Sequence, residues 1–430
     1  VTVTFPGDAM AKDLAKFGET LQASTWWRTV TTGYCEGAGG SCIGDATNAK
    51  SVVYKTAPAT SYADTETPGA SSSLRDWLTK AIASGDLPSP EPGPVSKTIY
   101  VLYFPMSTSI VLDNLQSCTQ FDGYHGAVSV GSQQVHYAVV SECSGPLAGN
   151  TPPITTLQNT TITASHEIVE STTDPSTANT AYYLDFSDAN LGWMDIEGGG
   201  EVADLCIDPF LLDQDETTEG DYTVQRIWSN AHAAAGLDPC NPTPSGEAYF
   251  NAWPESSYFV MEVGSSLTFE VNAFSTGTRA DWTLTTADWS TNAMTPGYLD
   301  FAIAGSTASG GYPSIQVNNG SAVTVTMTLK KDPGGLSNGR ADGSIVTYAG
   351  PGQNPTAAHF WPFVVLTPDG AVDAGYDSAL TGRTGRTDEP PARNDRAHHT
   401  FRGRPSRTTP RAIVSWLAPL SSPSFSSASL

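Results

Sequence analysis

The sequence predicts an α+β protein: a mixed sheet-and-helix region over residues 1–244, an antiparallel β-sandwich over 245–368 and a disordered tail over 369–430. Three observations predict it. Helical spacing alternates with long apolar runs through the first region. Strict period-two alternation takes over in the second. In the third, hydrophobic periodicity vanishes and the balance of charge reverses.

The elements of the first region follow in order. "VTVTF" reads as a strand. "GDAMAKDLAKFGETLQ" places Met10, Leu14, Phe17 and Leu21 at helical spacing. "SSSLRDWLTKAIASG" is a second helix: serines cap it, Leu74, Trp77, Leu78 and Ile82 line one face, and Gly85 stops it. "LPSPEPGPV" is a loop. "TIYVLYFP" is a continuous apolar run fit for the centre of a sheet, and "VHYAVVSEC" is another strand. A helix carrying "SHEIVE" comes next, with Thr161, Ile162 and Val169 as its apolar surface and Asp174-Pro175 as its end.

The second region changes period. In "SSLTFEVNAF", Leu267, Phe269, Val271 and Ala273 share one side of a strand. "SAVTVTMTLK" does the same with Val323, Val325, Met327 and Leu329, and "HFWPFVVL" reads as a closing strand. No helix and no cluster of reactive groups is legible there. From residue 381 onward the tail carries eight arginines against three acids, while the preceding 380 residues carry thirteen cations against 41 acids.

Hydrophobic residues make up 39% of the 430, enough for sizeable cores. The net charge of -23 argues against a nucleic-acid partner, because nothing in the body neutralises a run of phosphates. No window approaches the ~20 apolar residues of a membrane-spanning helix. Six cysteines with no C-x-x-C predict disulfides and an oxidising compartment. Proximity along the chain pairs them as Cys35–Cys42, Cys118–Cys143 and Cys206–Cys240. The start at Val1 reads as a secreted, mature form whose signal peptide has been removed.

The chemistry centres on "ITASHEIVESTTDP", residues 162–175. It resembles the H-E-x-x-H helix of zinc hydrolases, with Glu170 in place of the second histidine. His166 and Glu170, four residues apart, share a helix face and can grip one ion. Glu167 stands where the hydrolytic glutamate of such enzymes takes a proton from the attacking water and passes it to the leaving group. A third ligand is sought in "GWMDIEGGGEVADLC", where Glu201 and Asp204 share one face of a short helix. This resembles zincins whose third ligand is a glutamate on a later helix. Glu201 is then the first choice of ligand and Asp204 the group that supports the ligand histidine, with the third ligand left open between Glu201 and Asp204.

Other residues compete. His125, in "DGYHGA", is a fourth ligand, a substrate contact or, more plainly, a structural support for its loop. His232 is equally open, and His136 reads as structural. The absence of a Gly-x-Ser-x-Gly elbow argues against a serine hydrolase. Trp26, Trp27 and Tyr34 are core or a sugar-stacking surface, with core as the default.

The ordered series "VTVTFPG … WW … IYVLYFP … SC..FDGYHGA … YAVVSEC … SHEIVESTTDP … GWMD … GEVADLC … IWSN … DPC" resembles the EXORDIUM-like, phosphate-induced secreted proteins of plants and their bacterial relatives. The matching residues are His166, Glu167, Glu170, Asp174, Pro175, Trp193, Glu201, Asp204 and Cys206. The resemblance covers residues 1–244 only. It implies an extracellular protein whose two acid-bearing segments form one site, and it supplies no definite reaction.

One Zn²⁺ held by His166, Glu170 and Glu201 makes an about neutral unit, which acidifies water less than a three-histidine site. The oxygen-rich set also admits Mn²⁺ or Ca²⁺. Two readings follow. The first is a metallohydrolase, peptidase-like, acting on a peptide or cell-wall substrate. The second is a cell-surface or cell-wall binding protein with a structural or vestigial metal. A Tyr or His facing the metal would favour the first, and Tyr182, Tyr183, Tyr222 and His232 are the candidates.

Overall fold

The structure, a computed structural model, describes residues 1–21, 24–35, 42–48, 50–65, 67, 70–93, 95–144, 154–175, 192–193, 201–206, 216–235, 239–241, 248–290, 297–309, 312–336, 339–349 and 358–373. Strand β1 (Thr2–Thr4) leads into α1 (Ala11–Leu21) and α2 (Thr25–Thr31). The predicted spacing holds in α1, which buries Leu14, Phe17 and Leu21. The Ser24 hydroxyl caps α2 by accepting the Trp27 N–H at 2.9 Å. Trp26 and Trp27 are buried, and Tyr34 packs on the same cluster, so the three aromatics belong to the core.

Next come β2 (Ser51–Val53), β3 (Ser61–Asp64) and α3 (Ser73–Ala83). Ser72 caps α3, and the chain turns away at Gly85, whose φ of 77° a side chain would resist. The strands β4 (Val95–Phe104), β5 (Ser109–Leu112), β6 (Leu115–Gln116), β7 (Gly123–Val130) and β8 (Gln133–Ser141) follow. Five of these strands form one sheet in the order β2-β1-β4-β8-β7. The first four run parallel, while β7 runs antiparallel to β8 at the edge. The long apolar runs of β4 and β8 sit at the centre, covered on both faces, as continuous hydrophobicity requires.

Helix α4 (Thr156–Thr173) lies across β7 and β8. Thr155 and Gln158 close a capping box at its start, and Asp174 ends it before Pro175. On its far side runs the hairpin of β9 (Glu216–Glu219) and β10 (Tyr222–Gln225). Hydroxyls tie the two together: Thr161 donates to the Thr223 carbonyl at 2.7 Å, and Ser165 Oγ accepts the Gln225 N–H at 2.9 Å. This explains how so polar a helix is buried. All three expected disulfides are present. Cys206–Cys240 fixes the turn before β11 (Ile227–Trp228) and β12 (Cys240–Asn241), which pair with each other.

The remaining strands are β13 (Phe250–Pro254), β14 (Tyr258–Val260), β15 (Ser266–Ser275), β16 (Trp282–Asp288) and β17 (Leu299–Ile303). They continue with β18 (Thr307–Ser309), β19 (Tyr312–Val317), β20 (Ala322–Leu329), β21 (Ala341–Tyr348) and β22 (Ala358–Leu366). They make a four-stranded sheet, β13-β15-β20-β17, and a six-stranded one, β14-β22-β21-β16-β19-β18. All pairings are antiparallel except β14 with β22. Val323, Val325, Met327 and Leu329 are buried as the alternation predicts. Leu267 is a correction: it is 36% exposed, at the open end of β15 beside exposed Ser266 and Thr268.

A second correction concerns the tail. Residues 369–373 belong to a short helix, Pro368–Asp373, started by a proline suited to a first helical turn. The remainder, 374–430, lies outside the described residues, as does the predicted boundary at 244/245. The two regions share one hydrophobic cluster. Trp193 packs 5.0 Å from the Phe360 ring and 5.7 Å from Trp361, and the Arg226 guanidinium lies 4.4 Å from the Tyr249 ring centroid.

Candidate metal centre

The site begins with the face of α4 that turns toward β7 and the segment 201–206. His166, Glu167 and Glu170 are 2%, 0% and 1% exposed. Ionisable groups are rarely buried so deeply without a partner that repays the lost hydration. The i, i+4 pair meets as the spacing predicts, with His166 Nε2 at 2.9 Å from Glu170 Oε2. Asp204, at the head of a 3-10 turn (Asp204–Cys206), brings Oδ1 to 3.5 Å from the same nitrogen.

Hydrogen bonds around His166 fix its tautomer. Gln225 Nε2 donates to the Ala203 carbonyl at 2.8 Å, so the amide oxygen of Gln225 is the atom that faces His166 Nδ1, also at 2.8 Å. An oxygen only accepts, so Nδ1 carries the proton. In the neutral ring Nε2 is then a bare lone pair, buried, facing two carboxylate oxygens and without a hydrogen-bond partner. Three acceptors together repel unless positive charge lies among them. The backbone adds order: the Ala203 N–H donates to Glu170 Oε1 at 3.1 Å.

Glu167 has both carboxylate oxygens buried and without a hydrogen-bond partner. Its nearest polar neighbour is His125, on edge strand β7, whose Nδ1 stands 3.6 Å from Glu167 Oε2 and 3.5 Å from Glu170 Oε2. Gly123 permits this approach. A Cβ there would lie 2.5 Å from Thr163 Cγ2 and 2.9 Å from Glu167 Oε1. The other nitrogen of His125 faces the Asp174 carbonyl at 3.2 Å and Glu201 Oε1 at 3.9 Å.

His166, Glu170 and Asp204 bring ligand atoms within 4.8 Å of one another. Glu201 does not join that group; it gathers with His125 and Asp174. Of the two residues open as third ligand, the structure sets Asp204 beside the His166 nitrogen and Glu201 with His125 and Asp174. Of the candidates for a group facing the ion, Tyr222 packs into the core 5.3 Å from Phe17, and His232 lies in the short helix Asn230–Ala234. Tyr182 and Tyr183 fall outside the described residues. His125 is the histidine that faces the donors. His136 is buried on β8. Gln225 carried no signal in the sequence, because its role depends on a hairpin 59 residues from His166.

The electrostatics follow from burial and crowding. Burial opposes charge on His125 and His166, but the surrounding carboxylates outweigh it and hold both imidazoles well above their usual range. Burial pushes Glu201 up to about 10, Asp174 to about 8 and Asp204 to about 7, and the nearby Glu170 adds to each. Glu167 is raised for the same reason, burial first. Glu170 resists its own burial and is drawn down to about 2 by His166 and His125. Orphaned donors, a fixed lone pair and a nitrogen-plus-carboxylate set together fit a divalent cation held by His166, Glu170 and Asp204.

No protein-family model and no curated protein matches the chain. Solved structures give faint likenesses. A conjugative transposon lipoprotein from Bacteroides eggerthii is 9% identical with a TM-score of 0.20, over 27% of this chain and 95% of that one. Domain 1 of VCBP3 from Branchiostoma floridae is 9% identical with a TM-score of 0.19, over 29% and 98%. The class 5 fimbriae chaperone CfaA is 9% identical with a TM-score of 0.18, over 27% and 55%. At these scores the likenesses carry no argument.

Proposed function

We propose that the chain is a secreted, peptidase-like metallohydrolase, with a zincin-like domain of the EXORDIUM-like family followed by a β-sandwich. The observation that carries this reading is the placement of His166 Nε2, turned by Gln225 to face Glu170 and Asp204. Three disulfides, and no described helix long and apolar enough to cross a membrane, support the extracellular part of it. The mixed sheet under α4 supports the zincin-like part, and the two antiparallel sheets the sandwich.

Zn²⁺, Mn²⁺ or Ca²⁺ bound by His166, Glu170 and Asp204 supplies Lewis acidity for a carbonyl or similar centre. The chain does the rest. Glu167 accepts a proton from the attacking water and returns it to the leaving group. Gln225 holds the His166 tautomer, and the Ala203 N–H orients Glu170. Strand β7 pairs on one side with β8 and has no sheet neighbour on the other among the described residues. Such an edge takes an extended peptide by main-chain hydrogen bonding, which favours a peptide substrate at His125.

The second reading, a binding protein with a structural or vestigial metal, is favoured by one observation: Glu167 is fully buried, an awkward place for a base. Glu167→Gln separates the two. Under the hydrolase reading it keeps the fold and the metal and loses ~10²–10⁴-fold in turnover. Glu170→Gln loses metal and activity together. Wild type loaded with zinc or manganese that cleaves nothing in a broad peptide library overturns the hydrolase in favour of the binding protein.

A further inference from the structure

We propose that the cluster binds two divalent cations: one at His166, Glu170 and Asp204, and a second at His125, Asp174 and Glu201. This deepens the proposed function and rests on its first ion. Each imidazole has acceptors on both sides. His166 faces the Gln225 amide oxygen on one nitrogen and two carboxylates on the other. His125 faces Glu167 and Glu170 on Nδ1, and the Asp174 carbonyl and Glu201 on Nε2. A neutral ring has one proton, so each leaves a lone pair against acceptors. Each position therefore calls for one positive charge, which a second ring proton supplies in the metal-free chain and a bound cation replaces.

One ion does not serve both rings. The groups whose ligand atoms lie within 4.8 Å of one another contain His125 or His166, never both. Ligands of one ion with bonds of about 2 Å sit closer together than that. Charge points the same way. Glu167, Glu170, Asp174, Glu201 and Asp204 bring five carboxylates together. Fully ionised, the five would carry five negative charges, of which one dication offsets two and a second two more. Glu167, fully buried and without a hydrogen-bond partner on either oxygen, marks the strip between the two groups.

The second position also has the right surroundings. Asp174 ends α4, where the helix dipole and unpaired carbonyls favour a cation. Binding the ion at Nε2 displaces the ring proton that faces the Asp174 carbonyl, and the proton moves to Nδ1, where Glu167 and Glu170 accept it in the outer hydrogen bond that ligand histidines commonly make. One nitrogen, two carboxylates and a nearby carbonyl suit Mn²⁺ or Ca²⁺ better than a purely soft ion. Glu167 is left free as the base. Glu201, 18% exposed at its side chain, gives the ion a route from solvent.

The experiment is a stoichiometry. The full chain is stripped with chelator, reloaded with Mn²⁺, desalted, and counted by elemental analysis, with free and bound Mn²⁺ followed by electron paramagnetic resonance. Wild type is expected to hold two ions, and His125→Ala and Glu201→Gln one each. His166→Ala is also expected to lose one. Should His125→Ala fold poorly by circular dichroism, Glu201→Gln alone decides, since that side chain reaches solvent. One ion in wild type, unchanged in Glu201→Gln, overturns the second site and leaves the first. No ion in wild type overturns both.

Discussion

Gln225 decides which nitrogen His166 offers, so its removal is a clean probe of the centre. The amide bridges His166 Nδ1 and the Ala203 carbonyl, each at 2.8 Å. Gln225→Ala is expected to weaken metal binding by ~10–100-fold, the usual cost of losing such an outer partner. Competition against a chromogenic chelator measures it, and unchanged affinity would remove the tautomer argument. Gly123 offers a second residue-scale test. Gly123→Ala drives a methyl into Thr163 and toward Glu167. Forcing β7 and α4 apart is expected to cost about 1–3 kcal/mol in urea unfolding. None of this is legible in the sequence. His166, Glu167 and Glu170 announce themselves by helical spacing, whereas His125 and Gln225 meet them only through tertiary packing.

At the scale of elements the pattern was easier to read. Strands β4, β8, β15, β20 and β22 and helices α1 and α3 all fall where apolar spacing puts them, because each buries that spacing against a neighbour. The edge strand β7 is not legible in the sequence, since its Gly-rich, half-exposed residues carry no period. The ends of β1 and β8 add a pH-dependent joint. Glu142, just past β8, is pushed up to about 8 by burial and by Asp8, just past β1. The folded state thus holds a proton that the unfolded chain, with its ordinary value of 4.5, releases earlier. Stability from this group is intact below about 4.5, falls as pH rises toward 8, and is lost above it. Glu142→Gln is expected to flatten the stability profile between those limits. Urea melts at pH 5 and pH 8 check it, and an equal slope in both proteins would sink the idea.

The whole molecule turns on whether the C-terminal sheets are a passenger. The sequence reads them as a β-sandwich over 245–368, a region whose period-two strands carry no reactive groups. Packing joins them to the first region. Gly192 lies against the backbone of Pro362 so closely that a Cβ would collide with it. Trp193 beside it is buried among Trp228, Phe360 and Trp361. These two residues open the segment that ends at Glu201 and Asp204, and Cys206–Cys240 clamps its other end. The segment is thus held at one end by a disulfide and at the other by β22. Trp193→Ala is expected to cost about 3–5 kcal/mol by leaving a cavity at this seam. If the seam also holds the ligands, metal affinity falls with it, although Trp193 is not a ligand. A Cys206→Ser/Cys240→Ser pair, closing a 34-residue separation, is expected to cost about 3–4 kcal/mol and to act on the metal in the same way. The telling comparison is Trp193→Ala under conditions where it remains folded. If its metal affinity then equals wild type, the C-terminal sheets steady the fold alone; if it is reduced, they belong to the site.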